Sequence, residues 1–460
     1  MTKQVDFEKG NIAANIAQTA VPMFVAQILS LLYSIVDRIY IGRIPGEGTA
    51  ALGGIGLCFP VIMLITAFTN LYGSGGAPLF AIARGSGNNV RAEQILNTSF
   101  RLEILTGIVL TLITAVFGGD ILMLFGANET SLVYALPYLN IYICGTIFVM
   151  TATGMNPFIN AQGFTQTGML TVTIGAAANI ILDPVFIFGF RMGVRGAAIA
   201  TVISQALSAA FVLRFLFSER SPALYKVKLS PESILPDAEL SMQIAGLGTS
   251  AFVMQFTNSL VTAVCNNVLM LSGGELYVSV MTIISSLRQV LEVPAIAIVE
   301  GASPVISYNY GARRPDRVKK SIFIMAAAEF AYTMLGWILI ETIPGIMLSV
   351  FTSDAVLVEA ALPSMHLYFF AFVFMSLQHC AQSTFKAMNK KKKAIFFSLF
   401  RKVIIVVPLT IILPHLFGLG ISGVFIAEPV SNVVGGTAAF VTMLLTVLPE
   451  LGSMKREQKA

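Results

Sequence analysis

Two carboxylates and an amide stand in this chain where hydrocarbon is expected. Asn179 and Asp183 lie four residues apart in Asn179-Ile-Ile-Leu-Asp183-Pro184, inside a long apolar run, and on a helix that spacing stacks them on one face. A carboxylate held in hydrocarbon costs about 3 kcal/mol on insertion scales, so Asp183 is expected to bind something. Asp37, near the end of another apolar run, and Thr201, near the start of a third, supply a second carboxylate and a hydroxyl. Such a set of oxygens suits a hard cation. Paired carboxylates suit a shared proton equally well, and the residues alone do not choose between the two. The plainer readings are a helix kink at Asp183-Pro184, which needs no charge, and an interfacial acid at Asp37 beside Arg38.

The elements that must hold these groups follow from composition. Of 460 residues 56% are hydrophobic and only 12% charged, and the mean hydropathy is +0.80. A soluble globule carries about 25% charged residues, so the chain is expected to be a polytopic membrane protein. Its 38 glycines and long apolar runs fit a helical bundle rather than a barrel of short alternating strands. Cys58, Cys144, Cys265 and Cys380 all fall in apolar runs with no pairing signal, and the histidines His366, His379 and His415 show no metal-ligand spacing. The first apolar run is too long for a signal peptide and lacks a cleavage site, so a retained first helix is expected.

Twelve runs are long enough to cross a bilayer: roughly 16–41, 51–82, 95–118, 132–156, 168–190, 194–217, 242–271, 276–309, 320–344, 359–385, 394–416 and 420–448. The polar stretch 218–241, with Pro222, Pro231 and Pro236, reads as a linker. It separates a first lobe, 1–217, from a second, 242–460. With both termini cytoplasmic, 24 of the 29 Lys and Arg residues fall in inner loops or at inner helix ends, among them Lys390 to Lys393, Arg401 and Lys402. That bias accounts for the net charge of +5, so no nucleic-acid partner is expected; the lysine run reads as an inner-leaflet lipid contact.

The two halves repeat. Gly75-Gly-Ala-Pro78 matches Gly301-Ala-Ser-Pro304, and Arg91 matches Arg317, at an offset of 226; Gly193-Val-Arg-Gly196 matches Gly420-Ile-Ser-Gly423 at 227. With six crossings in each half, the repeats are parallel and related by a pseudo-twofold along the membrane normal. The match breaks at the polar cluster: Asp183 corresponds to Thr410, Asn179 to Val406 and Asp37 to Cys265. Counting along helices from the outer ends puts Asp37 ~6 Å deep and Asp183 and Thr201 ~10 Å deep, with Tyr138 near the same level. The cluster belongs to the first half alone.

Other polar groups in apolar runs are candidates for a substrate cleft. Arg288 and Glu292, four apart, read as an intrahelical ion pair facing the bundle; the alternative is that Glu292, or Glu300 further along, meets a cationic substrate in the cleft. Asn156, Gln162 and Gln255 offer polar contacts, with interhelical hydrogen bonding as the plainer role. Met150 and Met254 would suit an adaptable apolar wall. Glu428, at the repeat position of Thr201, is either a second titratable site or part of a Glu-Pro kink with Pro429.

Taken together, Pro22, Asp37-Arg-Ile-Tyr-Ile-Gly42, Gly73-Ser-Gly-Gly76, Asn179-x-x-x-Asp183-Pro184, Gly193-x-x-Gly196-Ala-Ala-x-Ala-Thr201 and Tyr308-Asn-Tyr-Gly311 resemble the MATE (multidrug and toxic compound extrusion) family over nearly the whole chain. Within it, the chain looks closest to the bacterial MepA-like branch near the DinF type. The resemblance implies a V-shaped, all-α protein of twelve transmembrane helices in two lobes, multi-pass in the bacterial cytoplasmic membrane. It also implies export of drugs in exchange for Na+ or H+, with no other cofactor or metal and no enzymatic activity. The coupling ion would sit in the first lobe, at positions matched by Asp37, Asn179, Asp183 and Thr201, and more loosely by Tyr138, with Tyr142 as its rival. A monomer that takes amphipathic organic cations is expected. The alternative within the same superfamily is a flippase or exporter of lipid-linked compounds or metabolites, which would be expected to carry a wide cationic cleft.

Overall fold

The computed structural model describes residues 4–228, 236–352, 354–416 and 418–458; Lys3, Lys459 and the linker residue Pro231 lie outside them. The crossing helices are α1 (Ile12–Gly42), α2 (Ala50–Gly85), α3 (Asn89–Leu124), α4 (Ser131–Ala161), α5 (Thr165–Gly189) and α6 (Gly193–Phe217). A continuous helical stretch of 74 residues follows, Ala238–Gly311, interrupted by non-helical angles at Gly274 (φ 69°, ψ −166°). At 1.5 Å per residue it is far longer than a bilayer is thick, so it is two crossings, α7 over 238–273 and α8 over 275–311. After it come α9 (Pro315–Thr342), α10 in two pieces bent by 44° (Ala355–Phe369 and Phe372–Ala387), α11 (Lys391–His415) and α12 (Ile421–Glu457). The described residues therefore make twelve crossings.

Helix α3 shows why these sequences form membrane helices. Val109, Leu112, Ile113, Val116 and Phe117 recur at helical spacing and are all exposed, whereas Gly107, Leu110, Thr114 and Gly118 on the opposite face are buried. Apolar side chains face outward and small or hydroxyl-bearing ones face inward, the pattern of a helix solvated by lipid. The buried stripe of α9, with Glu329, Thr333, Gly336 and Ile340, repeats that of α3 at an offset of 226.

Two helix starts with side-chain caps show how the chain enters a crossing. Asn128 and Ser131 form a reciprocal capping box ahead of α4, and Asp354 accepts from Val356 N at 2.9 Å to open α10.

The chain divides into two compact units, the first of residues 1–6 and 25–252, the second of 7–24 and 253–460. Thus α1 and α7 each contribute to both. In the second unit the start of α1 is pinned by Thr19 Oγ1, which donates to Gly301 O at 2.6 Å. In the first, the start of α7 packs tightly on α2, where a Cβ on Gly75 would lie 2.8 Å from Gly248 N.

One repeated glycine fixes the helix pair that carries the polar cluster. A Cβ on Gly196 of α6 would sit 2.7 Å from the Phe186 carbonyl of α5, and one on Gly423 of α12 would sit 2.6 Å from the Leu413 carbonyl carbon of α11. Backbone cannot swing aside as a side chain can. Gly196→Ala is therefore expected to destabilise the first unit by about 1–3 kcal/mol, read as a lower melting temperature of the purified protein.

Candidate functional site

The first unit brings the oxygen-bearing residues of three helices together. On α5, Asp183 is fully buried and Asn179 nearly so, and the Asn179 amide donates to Asp183 Oδ1 at 3.2 Å and to Thr201 Oγ1 of α6 at 3.4 Å. The Asp37 carboxyl of α1 comes within hydrogen-bonding range of that of Asp183. Tyr138 of α4 is also buried, its ring stacked on Tyr142 with centroids 5.9 Å apart. Pro184 ends the regular part of α5, and the chain continues as a π-turn over Val185–Gly189. A proline lacks the N–H that an α-helix needs there, and the wider turn takes up the mismatch.

The cluster has fewer donors than its acceptors need. Asp37 Oδ1, Asn179 Oδ1 and Asp183 Oδ2 are each buried without a hydrogen-bond partner among the described residues. Buried acceptors left unpaired cost about 1–3 kcal/mol apiece, more when charged, and two carboxyl groups cannot approach one another this way without a cation or proton between them. The donor set thus fits a small monovalent cation or a proton.

The cleft candidates fall into different places. The Gln162 side chain is spent on the backbone of Tyr225, donating to its O at 3.3 Å and accepting from its N at 3.0 Å. Asn156 donates to Gly168 O of α5 at 2.9 Å, an interhelical bond, and accepts from Asn160 one turn on in its own helix. Met150 is buried in the first unit, Met254 and Glu300 are exposed, and Gln255 is half-buried.

Arg288, Glu292 and Glu428 belong to a second cluster, wholly within the second unit. Arg288 donates through Nε to Glu292 at 2.6 Å, and through Nη1 to Tyr368 Oη at 2.7 Å and Glu428 Oε1 at 2.6 Å. The same Glu428 oxygen accepts from Arg401 at 3.0 Å and from Lys402 at 3.3 Å, and Arg401 also bonds Asn432. This corrects the reading of Arg401 and Lys402 as inner helix-end charges: α11 begins at Lys391, which puts them ~15 Å along it, and both are buried. The adjoining Lys390–Lys393 run masked them. Starting the helix at Lys391, and so counting ten residues to Arg401, would have found them.

Sequence reading also missed Glu103 of α3 and Glu329 of α9. They occupy matching repeat positions at an offset of 226, both are fully buried, and neither carboxyl has a hydrogen-bond partner among the described residues. His379 Nδ1 lies 3.8 Å from Glu329. The signal was available: an acid in the middle of an apolar run, in register in both halves.

Twelve apolar helices with buried ionisable clusters define a polytopic membrane protein. The MatE family model matches residues 22–185 and 250–412, one segment in each half. The chain belongs to the MatE family. It is 25% identical over 415 residues, 90% of either chain, to the multidrug export protein MepA of Staphylococcus aureus strain N315. Its fold matches a solved structure of MATE in the bent conformation with a TM-score of 0.91 at 22% identity, covering all of both chains. It also matches the outward-facing conformation of a multidrug resistance MATE family transporter of the MOP superfamily, with a TM-score of 0.89 at 23% identity over 99% of both.

Proposed function

We propose that this protein is a secondary antiporter that exports amphipathic organic compounds, cationic ones among them, in exchange for Na+ or H+. One observation carries the reading: in this cluster three buried acceptor oxygens, one each on Asp37, Asn179 and Asp183, have no hydrogen-bond partner among the described residues. Membrane location, MatE family membership and the printed name of the staphylococcal relative support the export part. The close approach of two carboxyl groups fits a shared proton, and the four-oxygen set that Thr201 completes fits Na+.

In this reading both termini face the cytoplasm of a bacterial cell and the protein acts as a monomer, drawing substrate from the inner side. Ion binding draws Asp37 of α1 onto Asp183 of α5. Because Pro184 and the π-turn leave α5 without a continuous hydrogen-bond ladder at that level, the helix can change its bend at low cost. The two conformations of the first unit then differ in ion affinity, and that difference is what an ion gradient can convert into substrate movement.

The test is efflux of rhodamine 123, a fluorescent organic cation, from vesicles carrying the purified protein under a Na+ or an H+ gradient imposed separately. Export driven by one gradient supports the reading, and no gradient-dependent movement of the dye overturns it. Thr201→Val removes one oxygen and the hydroxyl that accepts from Asn179. It is expected to raise the ion concentration for half-maximal export about tenfold and to leave most of the maximal rate, as measured by ion titration of the same vesicles.

A further inference from the structure

The ion pocket leaves a buried acid of the first unit unused. Glu103 lies ~21 Å along α3 from Asn89, fully buried, and neither of its carboxyl oxygens has a hydrogen-bond partner among the described residues. Its seat is a glycine. Gly154 of α4 stands against it at the end of a π-turn, Met150–Gly154, and a Cβ built there would overlap the Glu103 carboxyl, to which its three nearest atoms all belong. The second unit keeps the acid, as Glu329, but not the seat: Cys380 stands at the repeat position of Gly154, and His379 offers a base 3.8 Å away. One turn before Glu103 on the same face of α3, Ser99 Oγ is also buried and unpartnered among the described residues.

No charged side chain among the described residues faces this seat from the helices packed around it. Between Ala50 and Ala83 of α2, and along the whole of α4, there is no Asp, Glu, His, Lys or Arg. On α6, which packs against the same π-turn, the charged residues are Arg195 and Arg214, near its two ends. On α7, which packs on α2 at Gly75, Glu239 lies at the helix start. Arg101 of α3 is two residues back from Glu103, ~200° around the helix. The titratable side chain beside the acid is Tyr72 of α2, whose Oη accepts from Thr106 Oγ1 at 3.0 Å. An unpaired buried carboxylate is far costlier than the neutral acid, so in this conformation the group carries a proton.

We propose that Glu103 is a proton-binding site separate from the Asp37–Asp183 pocket, filled by one H+ while Gly154 faces it and emptied when α4 turns. A π-turn is one residue inserted into an α-helix, so its migration along α4 shifts the register by one residue, or ~100°. Turned one way, that shift replaces Gly154 by Thr153, an exposed residue with a hydroxyl. The carboxyl then gains a hydrogen-bond donor and a path to the exposed face, and the charged form becomes tolerable. Ser99, able both to donate and to accept, extends the polar track one turn along α3. The fate of the proton rests on the antiporter reading; its binding does not.

Infrared spectroscopy of the full chain in detergent at neutral pH reads the site, because the C=O stretch of a neutral carboxylic acid stands apart from the bands of ionised carboxylates and of the backbone. Glu103→Gln is expected to remove one carboxyl's share of the wild-type acid band, and it should fold as well, since the amide is an isostere of the neutral acid. Gly154→Ala keeps the acid but pushes it from its seat, and should shift or weaken the same band. Adding Glu103→Gln to Asp183→Asn should remove the same share again, because the two sites are separate. An acid band unchanged by Glu103→Gln in either background, or unchanged by Gly154→Ala, overturns the proposal. In vesicles, rhodamine 123 should drive one H+ fewer per dye molecule in Glu103→Gln than in wild type, and an equal count overturns the release step. Dye that moves no ion at all, with the acid band assigned to Glu103, would count against the antiporter reading and not against the binding site.

Discussion

Asp183→Asn is expected to reduce gradient-driven export at least ~100-fold while the protein still inserts, purifies and melts near the wild-type temperature. The reduction is a floor, because losing even an outer partner of a bound ion costs about 10–100-fold in affinity, and Asp183 would be a direct ligand. Folding survives because the substitution removes a buried acceptor that has no partner, Asp183 Oδ2, and supplies an NH2 in its place. That new amide faces the Asp37 carboxyl and can donate to it, filling the gap an ion would occupy. The variant is therefore expected to be at least as heat-stable as wild type and unable to couple. Efflux from vesicles measures the first effect and thermal unfolding in detergent the second. Export at the wild-type rate would show that Asp183 is part of a helix kink and nothing more.

Glu428→Gln should have the opposite signature, a large loss of stability. Glu428 Oε1 is the one oxygen shared by Arg288, Arg401 and Lys402, and its side chain is 6% exposed. With a neutral amide there, Arg288 retains Glu292 and Tyr368, Arg401 retains Asn432, and Lys402 loses its one anionic partner among the described residues, keeping at best a neutral amide oxygen. Breaking a buried pair by removing one partner costs about 3–5 kcal/mol, which is enough to lower the yield of folded protein sharply. Adding Lys402→Gln removes one of the stranded cations and should recover part of the loss, a coupling that a double-mutant cycle on melting temperatures measures. Wild-type stability in Glu428→Gln alone would mean that the cluster is solvated and its charges independent.

These two residues show what a sequence makes legible in a membrane protein and what it does not. The crossings are readable because only a long apolar helix satisfies its backbone in hydrocarbon, and the split of the 74-residue helix at Gly274 lies within a few residues of the gap between runs 242–271 and 276–309. Asp183 is readable because an acid in such a run is expensive, and the broken repeat concentrates attention on it. What spacing cannot supply is the partner. Arg288 and Glu292 are visible as an i,i+4 pair, but that Glu428 closes on Arg288 from 140 residues away depends on how α8, α11 and α12 pack. Arg401 and Lys402 were misplaced for a related reason: four lysines just before them look like the end of a helix and are its start. Gln162 and Asn156 were visible as polar groups, and only packing shows that their amides are committed to Tyr225 and Gly168. Glu103 and Glu329 were within reach of the repeat argument, since the offset of 226 that aligns Gly75 with Gly301 aligns them too.

The most direct test of the central claim, that an ion held by Asp37 and Asp183 is exchanged for an organic substrate, is ion movement caused by the substrate. Vesicles carrying the protein would be loaded with a pH-sensitive dye and given radioactive sodium outside, with no gradient of either ion imposed, and organic substrate would then be placed on one side. In wild type, substrate flow is expected to drive one of the two ions, H+ or Na+, in the opposite direction, and in Asp183→Asn neither ion should move. Substrate crossing with no counter-movement of either ion, or equal ion movement in wild type and Asp183→Asn, would contradict the assignment.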